Sequence, residues 1–275
     1  MLKTRVLTSM VLIPLVLAAM FLLPNFYWTL LMLGVITMGL YEWAVMAKLK
    51  PFVSYIYVGG TLAVGLWLTV ATNMGINQIQ TQVMFWGVLA ATVFWVFLVP
   101  IWLITRFQVR NGFVMMIVGW LILLPTWMAL VSLREVSPWL LLSIVSAVVI
   151  ADSAAYFVGK RYGKHKLVPL ISPGKTWEGV GGAWLAVSIY GFALCWLLNV
   201  DYWLIVGLWG ITVLSIMGDL LESLIKRHVG VKDSGNLLPG HGGMLDRIDG
   251  LTSSLPLATF FIYFPLYYAT WIRHV

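Results

Sequence analysis

Hydrophobic and polar positions in this chain come in long blocks, with no short amphipathic period of the kind a soluble helix shows. Nine mainly apolar runs, at residues 6–23, 26–47, 52–72, 83–105, 113–133, 139–158, 179–198, 203–218 and 251–271, are separated by polar connections. About 20 apolar residues in helical geometry cross the hydrocarbon core of a bilayer, so each run predicts a transmembrane helix. The eighth is short by apolar count, but its helical pattern continues through Asp219 to Arg227. Pro14, Pro100, Pro125, Pro256 and Pro265 fall inside runs, where neighbouring groups can satisfy the carbonyls a proline frees. The expected fold class is all-α: a polytopic membrane helix bundle of about nine transmembrane helices, forming one integral membrane domain over residues 1–275.

Composition agrees. Hydrophobic residues make up 61% of the chain and charged residues only 10%, with a mean hydropathy of +0.94; soluble domains carry about 25% charge. The 15 Trp and 11 Tyr suit the aromatic belts of bilayer interfaces. Lys3 and Arg5 ahead of the first run resemble a secretory signal, but no small-x-small cleavage site follows, and the run is read as a retained first span. The single cysteine, Cys195, lies in an apolar run, which excludes a disulfide framework and a cysteine-built zinc site.

Placing the N-terminus in the cytoplasm puts 15 of the 17 Lys and Arg on the inside, leaving only Arg134 and Arg273 outside. That bias supports both the span count and a C-terminus outside. The net charge of +7 is therefore read as membrane orientation plus phosphate binding, with no nucleic-acid partner. Residues 152–249 hold nine of the 17 bases and eight of the ten acids. Residues 1–138, spans one to five, are thus expected to be scaffold with lipid or dimer contacts, and residues 139–275, spans six to nine, to carry the chemistry.

Within that half, Asp219, Glu222, Ser223 and Lys226 recur at i, i+3, i+4 and i+7, which places them on one helix face with Arg227 beside them. A helix end held by a Glu222–Lys226 pair would explain two of them, but an acid directly after an apolar run is costly unless it faces a cavity or a partner. Asp246 and Asp249 stand at i and i+3 where the ninth run begins. The helix dipole would account for one such acid. Two of them, with Asp219 in the same region, suit a hard cation such as Mg²⁺, which takes carboxylate oxygens and keeps waters that a phosphate can replace. The loop Gly159–Gly179 holds five Lys and Arg, among them Lys166 and Lys175. Gly174-Lys175-Thr176 resembles the end of a phosphate loop, but Pro169 stands where its first glycine belongs, so what remains is a glycine-rich cradle with lysines. Asp152 shares a helix face with Tyr156 and is an acid at membrane depth, read equally as structural or functional. Glu42 is expected to be structural, and His241, between Gly240 and Gly242, to approach a ligand or form a turn.

The stretch Ser223–Asp249, SLIKRHVGVKDSGNLLPGHGGMLDRID, closely resembles the signature of the phosphatidate cytidylyltransferases: Ser-x-apolar-Lys-Arg, four residues, Lys-Asp-x-small, then Pro-x-His-Gly-Gly-apolar-x-Asp-Arg-apolar-Asp. The segments from Asp152, Ser172 and Gly218 are similar to family blocks as well, so the resemblance covers the C-terminal half. It implies the reaction CTP plus phosphatidic acid to CDP-diacylglycerol plus pyrophosphate, at the cytoplasmic face of a bacterial inner membrane. It further implies Mg²⁺ held by Asp219 and Asp246 with Asp249 as a third acid, and room for a second cation such as K⁺. Lys226 and Arg227 would join the aspartates in catalysis. Ser223, Glu222, Lys232, Asp233, His241, Arg247, Lys175, Lys166 and Asp152 would bind substrate or phosphate. A homodimer is the default assembly, and the small residues Gly181, Gly182 and Ala183 allow close helix packing.

Two other classes fit less well. A CDP-alcohol phosphotransferase carries Asp-x-x-Asp-Gly-x-x-Ala-Arg, and here Ser253 and Ser254 replace its last pair. A transporter would spread acids through span centres and show inverted repeats, and this chain has neither pattern.

Overall fold

The computed structural model describes residues 2–75, 77–235, 237 and 242–272, with side chains undescribed at 2–9, 77–80 and 265–272. Every one of the nine apolar runs lies in a helix. In chain order these are α1 Leu2–Leu22, α2 Asn25–Met46, α3 Pro51–Asn73, α4 Asn77–Val93 running through a π-helical turn at Phe94–Leu98 into α5 Val99–Thr105, α6 Gly112–Val136, α7 Pro138–Tyr162, α8 Trp177–Leu198, α9 Trp203–Val229 and α10 Leu245–Ile272. Among the described residues, seven helices are long and apolar enough to cross a membrane, and Met10–Leu22 is a shorter apolar helix. The protein is an integral membrane protein.

The helix ends follow local chemistry. Pro51 and Pro138 open α3 and α7, where a missing N–H costs nothing. Asn111 and Thr176 cap α6 and α8, accepting from Phe113 N at 2.9 Å and Gly179 N at 3.1 Å. Gly230, at φ 81°, closes α9 in the left-handed conformation that glycine adopts without strain. The π turn precedes Pro100, and there Val99 N reaches back five residues to Phe94 O. Widening the turn accommodates a residue that cannot donate.

One feature departs from the all-helical expectation. The basic loop after α7 folds into an antiparallel hairpin, β1 Lys166–Val168 with β2 Ser172–Thr176, pairing Lys166 with Thr176 and Val168 with Ser172. Ile171 at its tip is buried against Leu220 and Leu224 of α9, so the hairpin is clamped to the helix that carries Asp219.

The main core is centred on α2, α6 and α10, where Trp28, Ile36, Leu40, Trp43, Leu123 and Leu255 are fully buried. α10 also packs against α9. Their closest approach is set by small residues: a Cβ at Gly218 would collide with the Asp249 carbonyl, and one at Gly250 would come within 2.6 Å of Ser215 Oγ. Ser253 Oγ donates across the interface to Leu214 O at 2.7 Å. Close backbone contact through small residues is how helices associate in lipid, and here it occurs beside Asp219 and Asp249.

Candidate active site at the ends of α9 and α10

Acids and bases from α7, the hairpin, α9 and α10 converge at one end of the bundle. Lys175 Nζ, on β2, contacts Asp219 Oδ2 at 2.5 Å and donates to Ile216 O at 3.3 Å, while Ser223 Oγ donates to Asp219 Oδ1 at 3.2 Å. One turn further along α9, Lys226 Nζ bridges Asp246 Oδ1 at 2.6 Å and Glu222 Oε1 at 3.4 Å. The helix face read from the i, i+3, i+4, i+7 spacing is therefore real, and its lysine ties α9 to the start of α10.

Asp246 is the most fully engaged acid. Besides Lys226, its Oδ2 accepts from Ser234 N at 2.9 Å, Ser234 Oγ at 3.0 Å and Gly243 N at 2.9 Å. This fixes the connection between α9 and α10 at both of its described ends. Asp249 lies one turn on, its Oδ1 accepting from Gly250 N at 2.7 Å, within electrostatic reach of Asp219, Asp152 and Glu222. Asp152 reaches across from α7, where Ser215 Oγ donates to its Oδ1 at 3.4 Å. Glu222 is buried at 5% exposure; Lys226 pairs with its Oε1 at 3.4 Å, and neither of its carboxylate oxygens accepts a hydrogen bond of normal geometry.

Most of the chain aligns with known proteins. The profile of the cytidylyltransferase family matches residues 3–265. The chain belongs to the cytidylyltransferase family. Among its relatives, the phosphatidate cytidylyltransferase of Pseudomonas aeruginosa is 38% identical over 263 residues, covering 94% of this chain and 95% of that protein. That of Haemophilus influenzae is 35% identical, covering 97% and 100%. A shorter match of 113 residues links the chain at 47% identity to the Staphylococcus aureus enzyme, covering 39% of this chain and 43% of that one.

For a member of this family, the expected site residues fall into four groups. Asp152, Lys175, Asp219, Glu222, Ser223, Lys226, Asp246 and Asp249 meet in the network just described. Arg227 turns toward the hairpin, its Nε donating to Ile171 O at 3.4 Å. Lys166, Lys232, Asp233 and Arg247 are exposed around the rim, and among the described residues Lys166 and Lys232 have no ionic partner. His241 lies outside the described residues.

Among the described residues, no three His, Cys, Asp or Glu side chains form a ready-made metal cage, and Lys175 and Lys226 hold carboxylate oxygens instead. The donor set nevertheless fits a hard cation. Glu222 presents buried oxygens whose nearest cation is Lys226 at 3.4 Å, and half-buried Asp249 lies beside it; two acids this close are stabilised by a proton or a further cation between them.

One residue of this network went unread as part of the site. Glu42, in α2, is 6% exposed and accepts from Met244 N at 2.9 Å, Leu245 N at 2.8 Å and Ser234 Oγ at 3.0 Å. It caps α10 from a helix 200 residues away in sequence, and a Cβ at Gly235 would lie within 2.6 Å of its Oε1. The structural role expected for Glu42 is correct. Its location, against the loop that carries Asp246, ties that role to the site. The one sequence signal was its standing as the sole acid in spans one to five.

Proposed function

We propose that the chain transfers the cytidylyl group of CTP to phosphatidic acid, giving CDP-diacylglycerol and pyrophosphate, as the names of its relatives say of them. The observation that carries this reading is the convergence of five acids, Asp152, Asp219, Glu222, Asp246 and Asp249, with Lys175 and Lys226 at one end of a membrane bundle. A site of mixed charge at the bilayer edge suits a reaction between a soluble nucleotide and a lipid phosphate.

The lipid phosphate is already an anionic nucleophile, so the site has to position reactants and neutralise charge more than abstract a proton. An oxygen of that phosphate forms the new bond to the α-phosphorus of CTP. The bond from that phosphorus to the α–β bridging oxygen breaks, and its electron pair leaves with pyrophosphate. Lys175 and Lys226 are placed to exchange their carboxylate partners for phosphate oxygens, and Arg227 and Arg247 suit bidentate contacts at the rim. Asp219 and Asp246, with Asp249, would hold Mg²⁺, which supplies charge neutralisation for the reacting phosphates; the further acids leave room for a second cation such as K⁺. Nine spans, an N-terminus inside, a C-terminus outside and a site on the cytoplasmic side are inferred from the Lys/Arg distribution, and the bacterial inner membrane is inferred from the family resemblance. A homodimer completes the proposal.

The test is pyrophosphate release from CTP by purified protein in detergent, with and without phosphatidic acid. Release dependent on the lipid, abolished in Asp219→Ala and in Asp246→Ala proteins that elute as wild type does on size exclusion, supports the reading. Turnover near wild type in either variant removes that aspartate from the site, and absence of release from the unmodified protein removes the reaction.

A further inference from the structure

A cavity of about 340 Å³ lies on a different face of α9 from the acid cluster, between the ends of α2, α5 and α9 and the start of α6. Lys48, Arg110, His228 and Gln108 line it on the polar side, and Met46 and Ile225 are among its apolar walls. No acid lines it.

The positive-inside tendency explains why Lys48 and Arg110 occur in connections on one side of the membrane. It does not explain why the fold gathers them around one hollow. The loop after α5 is fastened in place: Trp102 Nε1 donates to Phe107 O at 2.6 Å, Gln108 Nε2 donates to His228 O at 3.2 Å, and the His228 ring approaches the Arg106 backbone. Both connections also contain a non-glycine residue in the left-handed region, Lys48 and Arg106, each at φ 54°, a conformation that L side chains adopt only when the surrounding structure holds it. The walls are thus fixed, and the charge they present is uncompensated by any lining carboxylate.

We propose that this cavity binds a phosphate-bearing anion at a site separate from the catalytic one. Lys48 supplies a point charge and Arg110 a planar fork for two phosphate oxygens, with His228 and the Gln108 amide beside them. The apolar wall admits a phosphate that carries hydrocarbon, such as the headgroup of an anionic phospholipid, as well as a free phosphate. An occupant would touch Ile225 and His228, neighbours of Lys226 and Arg227 on α9.

The experiment uses the full chain. Binding of phosphatidylglycerol, presented in nanodiscs of otherwise zwitterionic lipid, and of inorganic pyrophosphate in detergent is measured for four proteins: unmodified, Lys48→Gln/Arg110→Gln, Gln108→Glu and Lys175→Gln. Gln108→Glu places a carboxylate in the cavity from an exposed position and serves if the double variant folds poorly. The proposal expects both cavity variants to bind at least tenfold more weakly than the unmodified protein, with lipid-dependent pyrophosphate release within twofold of it. Loss confined to the lipid arm identifies a headgroup as the occupant, and loss confined to the pyrophosphate arm identifies a soluble phosphate. Unchanged binding in both cavity variants, or loss of all binding in Lys175→Gln alone, overturns it.

Discussion

Replacing Glu42 tests how far the site depends on the N-terminal half. Its carboxylate accepts two backbone N–H groups at the start of α10 and the Ser234 hydroxyl, at 2.8 to 3.0 Å. Hydrogen bonds to a charged acceptor contribute about 1.5–3 kcal/mol each. Glu42→Gln keeps one acceptor oxygen and turns an amide donor toward either the Met244 or the Leu245 N–H, so at least one of these bonds is lost and a donor faces a donor. A cost of about 3 kcal/mol follows, taking one lost charged bond near its upper value. Since Ser234 and Gly243 also hold Asp246, the opening should extend to that carboxylate. Amide hydrogen exchange of the segment containing Met244 and Leu245 should accelerate about 100-fold, the equivalent of roughly 2.8 kcal/mol, and pyrophosphate release should fall at least tenfold while the helix content stays unchanged. Exchange and turnover both within twofold of wild type would refute the argument, because they would mean that the α10 cap holds without its acceptor.

Other outcomes follow from the same network. Lys226→Ala leaves Glu222 and Asp246 without their cation, a loss of about 3–5 kcal/mol for a broken buried pair; thermal unfolding in detergent should show clear destabilisation and activity should be lost, whereas Lys50→Ala, at an exposed position, should stay within twofold on both measures. Gly218→Ala drives a methyl group into the Asp249 carbonyl; overpacking of this kind costs about 1–3 kcal/mol, and turnover should fall with the shift in unfolding temperature. Removal of divalent cations with a chelator should stop pyrophosphate release, and added Mg²⁺ should restore it; release that persists after exhaustive chelation would take the cation out of the mechanism.

What the sequence made legible and what it hid have the same physical origin. Span length is a property of one stretch of chain, because a bilayer core imposes it locally, and all nine runs are helical in the structure. The face formed by Asp219, Glu222, Ser223 and Lys226 was equally local, since helical periodicity alone aligns it. Asp246 was legible as a site residue, but its four partners were not: they are backbone N–H groups, a serine and a lysine that the fold brings in from both sides of a loop. The hairpin was hidden for a related reason. Strand pairing of only three and five residues depends on the burial of Ile171 against α9, which no local pattern announces. Glu42 is the extreme case, an acid whose meaning lies entirely in amides about 200 residues downstream. Its position also weakens the division of the chain into an N-terminal scaffold and a C-terminal half that carries the chemistry. Spans six to nine supply the reactive side chains, yet the first turn of α10, and with it Asp246, is held by a carboxylate from α2. A fragment that began at residue 139 would contain every predicted site residue and still lack the acceptor that holds two of the N–H groups around which the site is built.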